Sequence, residues 1–207
     1  MRVCMIANTQ AVHSQRWASA LAARGHEVHL VGVRPAQVEG VKVHSVSGTR
    51  DIGLSRREVA FGYLRLALRM RRLLRHIAPD VVMAHYTTTN GVLATLARAH
   101  PLLVVPWGTD IRPEPDTFRR AWRDRINNWV LRHADGVAVS SHYLAQRVLQ
   151  VGHGKTPQPT VIPFGVEPDR FTPPSESQRS NGPRIGFVKH FEPRYGAEVL
   201  LDAMQGR

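Results

Sequence analysis

Short unbroken apolar runs alternate along the chain with longer stretches in which apolar residues recur at helical spacing. Strands covered on both faces read as continuous runs and crossover helices as three- and four-residue repeats, so the pattern is that of a parallel sheet wound with helices. Runs over 3–7, 28–33, 41–46, 81–84, 102–105, 136–139 and 160–163 are predicted strands. Between them the spacing predicts helices over 14–24, 55–77, 91–98, 116–133 and 142–149. Gly25 after the first helix and Ala78-Pro79 after the second supply the expected stops.

The series predicts an α/β fold, a doubly wound and mostly parallel Rossmann-like sheet with helices on both faces. Such sheets bind ligands at the carboxyl ends of their strands. That singles out 8–13, His85-Tyr86-Thr87, Trp107-Gly108-Thr109-Asp110, Ser140-Ser141 and Phe164-Gly165. Residues 1–163 make this N-terminal domain. From 164 to 183 the composition turns to Pro, Ser, Asn and Gly, with Pro168, Pro173, Pro174 and Pro183, and predicts a linker. Residues 184–207 then begin a second Rossmann-like unit, with a strand over 184–188 and a helix over 197–204. One strand and one helix cannot close a core, so this unit is expected to be incomplete.

At 207 residues, 43% hydrophobic and 21% charged, the chain is too apolar for a disordered or low-complexity protein. Its single cysteine, Cys4, excludes a disulfide framework and a cysteine zinc site and fits a reducing cytoplasm. No stretch reaches the roughly 18 to 20 apolar residues of a membrane span. The first apolar run is too short for a signal peptide. The net charge is +12, and with only Lys42, Lys155 and Lys189 as lysines, arginine carries nearly all of it. This balance predicts an anionic partner, a phosphate, an anionic lipid or a nucleic acid, unless it reflects a general arginine bias.

The turn after the first strand, residues 8–14, contains no glycine, which argues against a dinucleotide fingerprint. His13 stands there as a loop residue, either a polar member of the site or without a role. Among the eleven histidines, His26 and His29 fall on opposite faces of a strand, and no metal-ligand spacing occurs, so no metal is expected. Ser140-Ser141 lacks the flanking glycines of a nucleophile elbow. The segment 56–76 sets Arg56, Arg57, Arg65, Arg69, Arg71, Arg72 and Arg75 against one acid, Glu58. It reads equally as a helix on an anionic membrane surface or as a sheet-packing helix with a solvated arginine face. A nucleic-acid groove is the third reading, and no nucleic-acid module accompanies it.

Taken together and in order, several motifs resemble the family 4 glycosyltransferases of the GT-B fold. They are His13-Ser14-Gln15-Arg16-Trp17 with Gly25-His26-Glu27-Val28, Pro79-Asp80-Val81-Val82-Met83-Ala84-His85-Tyr86, Trp107-Gly108-Thr109-Asp110-Ile111, Ala134-Asp135-Gly136-Val137 and Val161-Ile162-Pro163-Phe164-Gly165-Val166. The resemblance implies a retaining transfer of a sugar from a nucleotide-sugar donor to a glycan, lipid-linked or small-molecule acceptor, between two Rossmann-like domains. It makes 1–163 the acceptor domain and 184–207 the start of the donor domain. It implies His85 and Asp110 as the catalytic pair that positions the acceptor, or else as holders of their loops. His13, Tyr86 and Thr109 become acceptor contacts and Gly165 a hinge. Lys189-His190-Phe191-Glu192-Pro193-Arg194-Tyr195 is similar to the family's donor-phosphate loop, with Lys189 and Arg194 as the cations, or else two solvated charges. His190 and Tyr195 stand where the family usually has Arg and Lys. The family's later glutamate pair is expected beyond Arg207, so the chain alone is expected to be inactive. No cofactor or metal is implied. The expected setting is the cytoplasm, peripheral on the inner face of the membrane. The alternative is a non-catalytic acceptor- or membrane-binding half that works with a separate donor-binding chain and covers apolar residues such as Phe187, Val199 and Leu200.

Overall fold

The structure is a computed structural model, and it describes residues 1–46, 56–113, 117–166, 168, 171–172 and 185–205. The chain divides into two compact units, Met1–Phe164 and Gly165–Arg207.

In the first unit, β1 (Arg2–Ile6), β2 (Glu27–Gly32), β3 (Lys42–Ser45), β4 (Val81–His85), β5 (Leu102–Val105), β6 (Gly136–Val139) and β7 (Thr160–Val161) form one sheet. Every pairing is parallel and the order is β3-β2-β1-β4-β5-β6-β7. The order reverses between β1 and β4. In a doubly wound sheet that switch point opens a crevice beyond the strand ends. The central strands are buried on both faces, which is why they read as unbroken apolar runs.

Helix α1 (Val12–Ala23) packs Ala18, Trp17 and Leu21 on one face, over Met5, Leu30, Met83 and Val105. The opposite face is covered by α2 (Arg56–Ile77), α3 (Val92–Leu96), α4 (Thr117–Arg132) and α5 (His142–Gly152). These helices bury Met70, Leu74, Val130, Leu131, Leu144 and Val148 against Cys4, Ile6, Val82 and Val104. Each fully buried side chain of this size stabilises the fold by about 1.5–3 kcal/mol. Helix α2 ends where Ala78 turns to φ 48°, ahead of Pro79. Helix α5 is capped by Ser141, whose hydroxyl accepts from the Leu144 amide at 3.3 Å. Capping is thus the work of the serine weighed in the sequence as a nucleophile. Cys4 is fully buried in β1, and burial pushes its thiol up to about 12.

Two elements depart from the sequence expectation. The helix expected over 91–98 forms as the shorter α3, Val92–Leu96, and is preceded by a π-helical turn, Thr87–Gly91, that the pattern does not predict. Long-range contacts impose this: the Thr87 amide is drawn to Asp110, and a Cβ on Gly91 would lie 2.8 Å from the Val130 side chain. In the second unit, residues 185–188 pair with nothing as a strand. A strand exists only in a ladder, and the described residues of this unit offer no second strand. What they hold is a 3-10 turn (Pro193–Tyr195) and α6 (Ala197–Gln205). Ser55, Asp116 and most of the predicted linker, with Glu167, Asp169–Arg170 and 173–184, lie outside the described residues.

Candidate functional site

The loops after β1, β4 and β5 converge at the switch point and enclose a cavity of about 220 Å³. It is lined by Asn8, Ser14, His85, Tyr86, Asn90 and Trp107, with Thr89. His85 is the last residue of β4 and is 1% exposed. Its Nδ1 accepts a hydrogen bond from the Trp107 indole N–H at 3.2 Å. An indole can only donate, so Nδ1 carries the lone pair and the neutral ring bears its proton on Nε2. Burial pushes the His85 pKa down to about 4, so the ring is neutral near pH 7. Nε2 is buried and has no partner. The hydroxyl of Ser14, 0% exposed in the first turn of α1, is buried without a partner as well. Buried polar atoms are nearly always bonded, so two orphans beside one cavity mark a place where a ligand oxygen or a water completes the set.

Aromatic rings fix this geometry. Trp17 and Trp107 each meet the His85 ring edge-on at 5.7 Å, and His13 stacks on Phe164 at 5.1 Å while touching Trp107 edge-on at 5.5 Å. Asp110, 2% exposed, works differently. Its Oδ2 accepts from the Thr87 amide at 2.7 Å and hydroxyl at 3.0 Å, and its Oδ1 from the Trp107 and Gly108 amides at 3.0 and 2.9 Å. With four donors on two oxygens the carboxylate is saturated, and it locks the β4 and β5 loops together. Its own carbonyl accepts from Asn127 Nδ2 of α4 at 3.0 Å. Of the two roles the sequence allowed Asp110, this geometry performs the loop-holding one.

Tyr86 is held at φ 83°, a strained backbone for a residue with a Cβ, and its hydroxyl shares a 2.6 Å hydrogen bond with Thr109 Oγ1. Asn90 Nδ2 donates to the His85 carbonyl at 2.6 Å, tying the π turn to the strand end. His13, Tyr86, Thr109 and Asp110 are therefore gathered around His85. Only His85 and Tyr86 of these line the cavity. His13 belongs to α1 rather than to a loop, and is exposed beside the aromatic cluster.

The remaining predicted residues lie in the second unit. Lys189 is exposed, with its Nζ 5.6 Å from the centre of the Tyr195 ring. The Arg194 side chain lies outside the described residues. Gly165 is exposed, a Cβ there would meet nothing within 4 Å, and its φ is outside the left-handed region, so neither space nor backbone selects glycine. Phe187 and Leu200 are half-buried, with Phe187 against the Phe191 ring at 5.4 Å. Ser14, Trp17, Trp107 and Asn90 are site residues to which the sequence assigned no role. Trp107 stood inside a strand-end segment and Ser14 and Trp17 inside the motif over 13–17, whereas no such signal marked Asn90. No group of three or more metal-ligating side chains occurs among the described residues.

A family model described as glycosyl transferase 4-like matches residues 2–141. No curated protein matches by sequence. Among solved structures, a sucrose-phosphate synthase from Thermosynechococcus elongatus is similar, with a TM-score of 0.78 and 16% identity over 99% of this chain and 59% of that one. A glycosyltransferase from Rickettsia africae gives a TM-score of 0.56 at 16% identity, over 83% of this chain and 46% of that one. MnaA of S. aureus, solved with UDP, gives 0.51 at 15%, over 77% and 43%. At such identities the likeness establishes the fold. The chain spans about three fifths of the synthase and less than half of the other two.

Proposed function

The chain belongs to the glycosyl transferase 4-like family, and from that membership we propose that its first unit holds the acceptor in a retaining sugar transfer from a nucleotide-sugar donor. The observation that carries the reading is the pair of buried, unpartnered polar atoms, His85 Nε2 and Ser14 Oγ, beside the cavity at the switch point. A neutral imidazole with its proton on Nε2 donates a hydrogen bond to an oxygen; it is not arranged to remove a proton. His85 therefore orients a sugar or acceptor oxygen and stabilises charge that develops on it. Asp110 acts through the loops it fixes, as a positioning residue. Tyr86, Thr109 and His13 form the rim that meets the acceptor. Lys189 and Arg194 neutralise the donor diphosphate, Gly165 serves as the hinge, and neither metal nor cofactor takes part. The acceptor is a glycan, a lipid-linked sugar or a small hydroxyl compound.

The test is saturation-transfer NMR of the 207-residue chain with a panel of oligosaccharides and water-soluble polyprenyl-phosphate sugars. At least one acceptor is expected to show transfer that falls at least about tenfold in His85→Ala, whose circular dichroism should match wild type. No binding across the panel, or binding indifferent to His85, would overturn the reading.

The setting we propose is the cytoplasm, on the inner face of an anionic membrane and facing it through 56–76, where Leu64 and Leu68 are each half exposed beside Arg72. Among the described residues no helix is long and apolar enough to cross a membrane. A second reading, an acceptor-binding half that works with a donor-binding chain, is favoured by the second unit's exposed Val188, Phe191 and Val199. Co-purification of such a chain from source cells would select it.

A further inference from the structure

Helix α4 carries aromatic residues on its outside. Trp122 is 61% exposed and Trp129 37%, and Phe118 is exposed as well. With Arg125 and Arg132 they make a single stripe, since 122, 125, 129 and 132 recur at helical spacing. The inner face, Asn127, Val130 and Leu131, is fully buried and already accounts for the packing of the helix on the sheet. Neither tryptophan belongs to the buried core, and Trp129 rests against the His133 ring at 5.4 Å. A contiguous stripe of exposed aromatic side chains, led by Phe118 and Trp122, marks a contact surface.

The charge on this face has one sign. Helix α4 holds five arginines and a single acid, Asp124. Asp124 faces α5, where both its oxygens accept from Arg147 at 2.8 Å. Arg120, Arg125 and Arg132 are exposed and have no acidic partner among the described residues. Helix α2 lies on the same side of the sheet, both helices pack against α3, and α2 exposes Leu64 and Leu68 beside Arg72. The outer layer of this side is thus cationic along the two helices that pack on α3, with Trp and Leu side chains exposed among the charges.

We propose that the Trp122–Arg125–Trp129–Arg132 face of α4 is an interfacial seat for an anionic lipid bilayer. Tryptophan belongs at the headgroup level, where its ring is in apolar surroundings and its N–H stays wet, and arginine stems reach past it to lipid phosphates. A helix of sixteen residues, about 24 Å long, lies flat on such a surface with its aromatic side down. Nucleic acid would use the arginines but gives no reason for leucines in the same layer. The inference extends the membrane side of the proposed function, which named 56–76, and its test separates the two helices.

The 207-residue chain is sedimented with vesicles of phosphatidylcholine containing about 40% phosphatidylglycerol, and with pure phosphatidylcholine vesicles. Binding is expected to the anionic vesicles and to be at least about tenfold weaker to the neutral ones. Trp122→Ala with Trp129→Ala should weaken it at least about fivefold, and Arg120→Glu with Arg125→Glu and Arg132→Glu at least about tenfold. Brominated lipid should quench the tryptophan emission of the wild-type chain and spare Trp122→Phe with Trp129→Phe, a readout that stands if the charge variant fails to fold. Wild-type binding that ignores lipid charge, α4 variants that bind as wild type, or displacement from vesicles by duplex DNA at lower concentration than lipid would overturn the proposal. Loss confined to Leu64→Gln with Leu68→Gln and Arg72→Glu would overturn the α4 seat and keep the 56–76 contact. Loss confined to the α4 variants would do the reverse.

Discussion

Burial leaves the His85 ring neutral, with its pKa down to about 4, and the Trp107 indole N–H donated to Nδ1 fixes which nitrogen carries the proton. In the unfolded chain the same ring takes up a proton below about pH 6.5. Stability that is complete above 6.5 is therefore lost as the pH falls from 6.5 to about 4, at roughly 1.4 kcal/mol per unit. Denaturant titrations at pH 7 and pH 5 should show wild type losing about 2 kcal/mol more than His85→Asn. Equal losses would mean that the ring is not held neutral. Asp110 gives a second expectation at this scale. In Asp110→Asn one oxygen becomes an amide whose hydrogens face donors that still need an acceptor. That change should cost about 2–4 kcal/mol in urea unfolding, several times the cost of an exposed Asp→Asn change.

At the scale of elements, the edge strand β3 is held by a chain of polar side chains. His29 Nδ1 and His44 Nε2 lie 2.9 Å apart with ring planes 4° from parallel, and His29 Nε2 meets Glu27 at 3.1 Å. Bonds from Lys42, Arg2 and His29 hold the half-exposed Glu27 carboxyl down to about 2. The His44 pKa is lowered, first by burial and then by His29, Lys42 and His76. Because the His44 pKa is lowered in the fold, the stability it lends to β3 is complete above about pH 6.5 and is lost as the pH falls below it. Hydrogen exchange corrected for intrinsic rates should show the Val46 amide, bonded to the Gly32 carbonyl at 2.8 Å, losing protection at pH 5 while β1 and β4 keep theirs. His44→Gln should remove the difference.

Elements such as β1, β4 and β5 were legible in the sequence because burial on both faces demands unbroken apolar runs. The π turn at Thr87–Gly91 was not, since what forms it is a bond to a carboxylate 23 residues away. The strand expected over 184–188 followed from local pattern alone, and pattern cannot supply a ladder partner. At the site, position was legible and role was not. His85, Tyr86 and Asp110 announce themselves by standing after apolar runs. Which of them meets a ligand depends on where the Trp107 N–H and four loop donors point, and only the folded loops decide that.

For the whole molecule, the first unit contains a seven-stranded sheet and a cavity, whereas the described part of the second contains a 3-10 turn and one helix. A transfer reaction needs donor and acceptor fixed together, and the chain spans about three fifths of the synthase it is similar to. The 207-residue chain is therefore expected to release no nucleoside diphosphate from UDP-, GDP- or ADP-sugars, with or without acceptor, in a coupled assay. Turnover by the chain alone would show that the donor side is already complete.

Cys4, sealed in the central strand with its thiol pushed up to about 12, gives the molecule a built-in clock. It is the only thiol in the chain, and no local fraying of an edge or loop can bring it to solvent. A thiol reagent in excess consumes it only when the middle of the sheet comes apart. The labelling rate at neutral pH thus reads global opening without any added probe. A cysteine introduced anywhere on the surface can be modified alone while the clock stays unread.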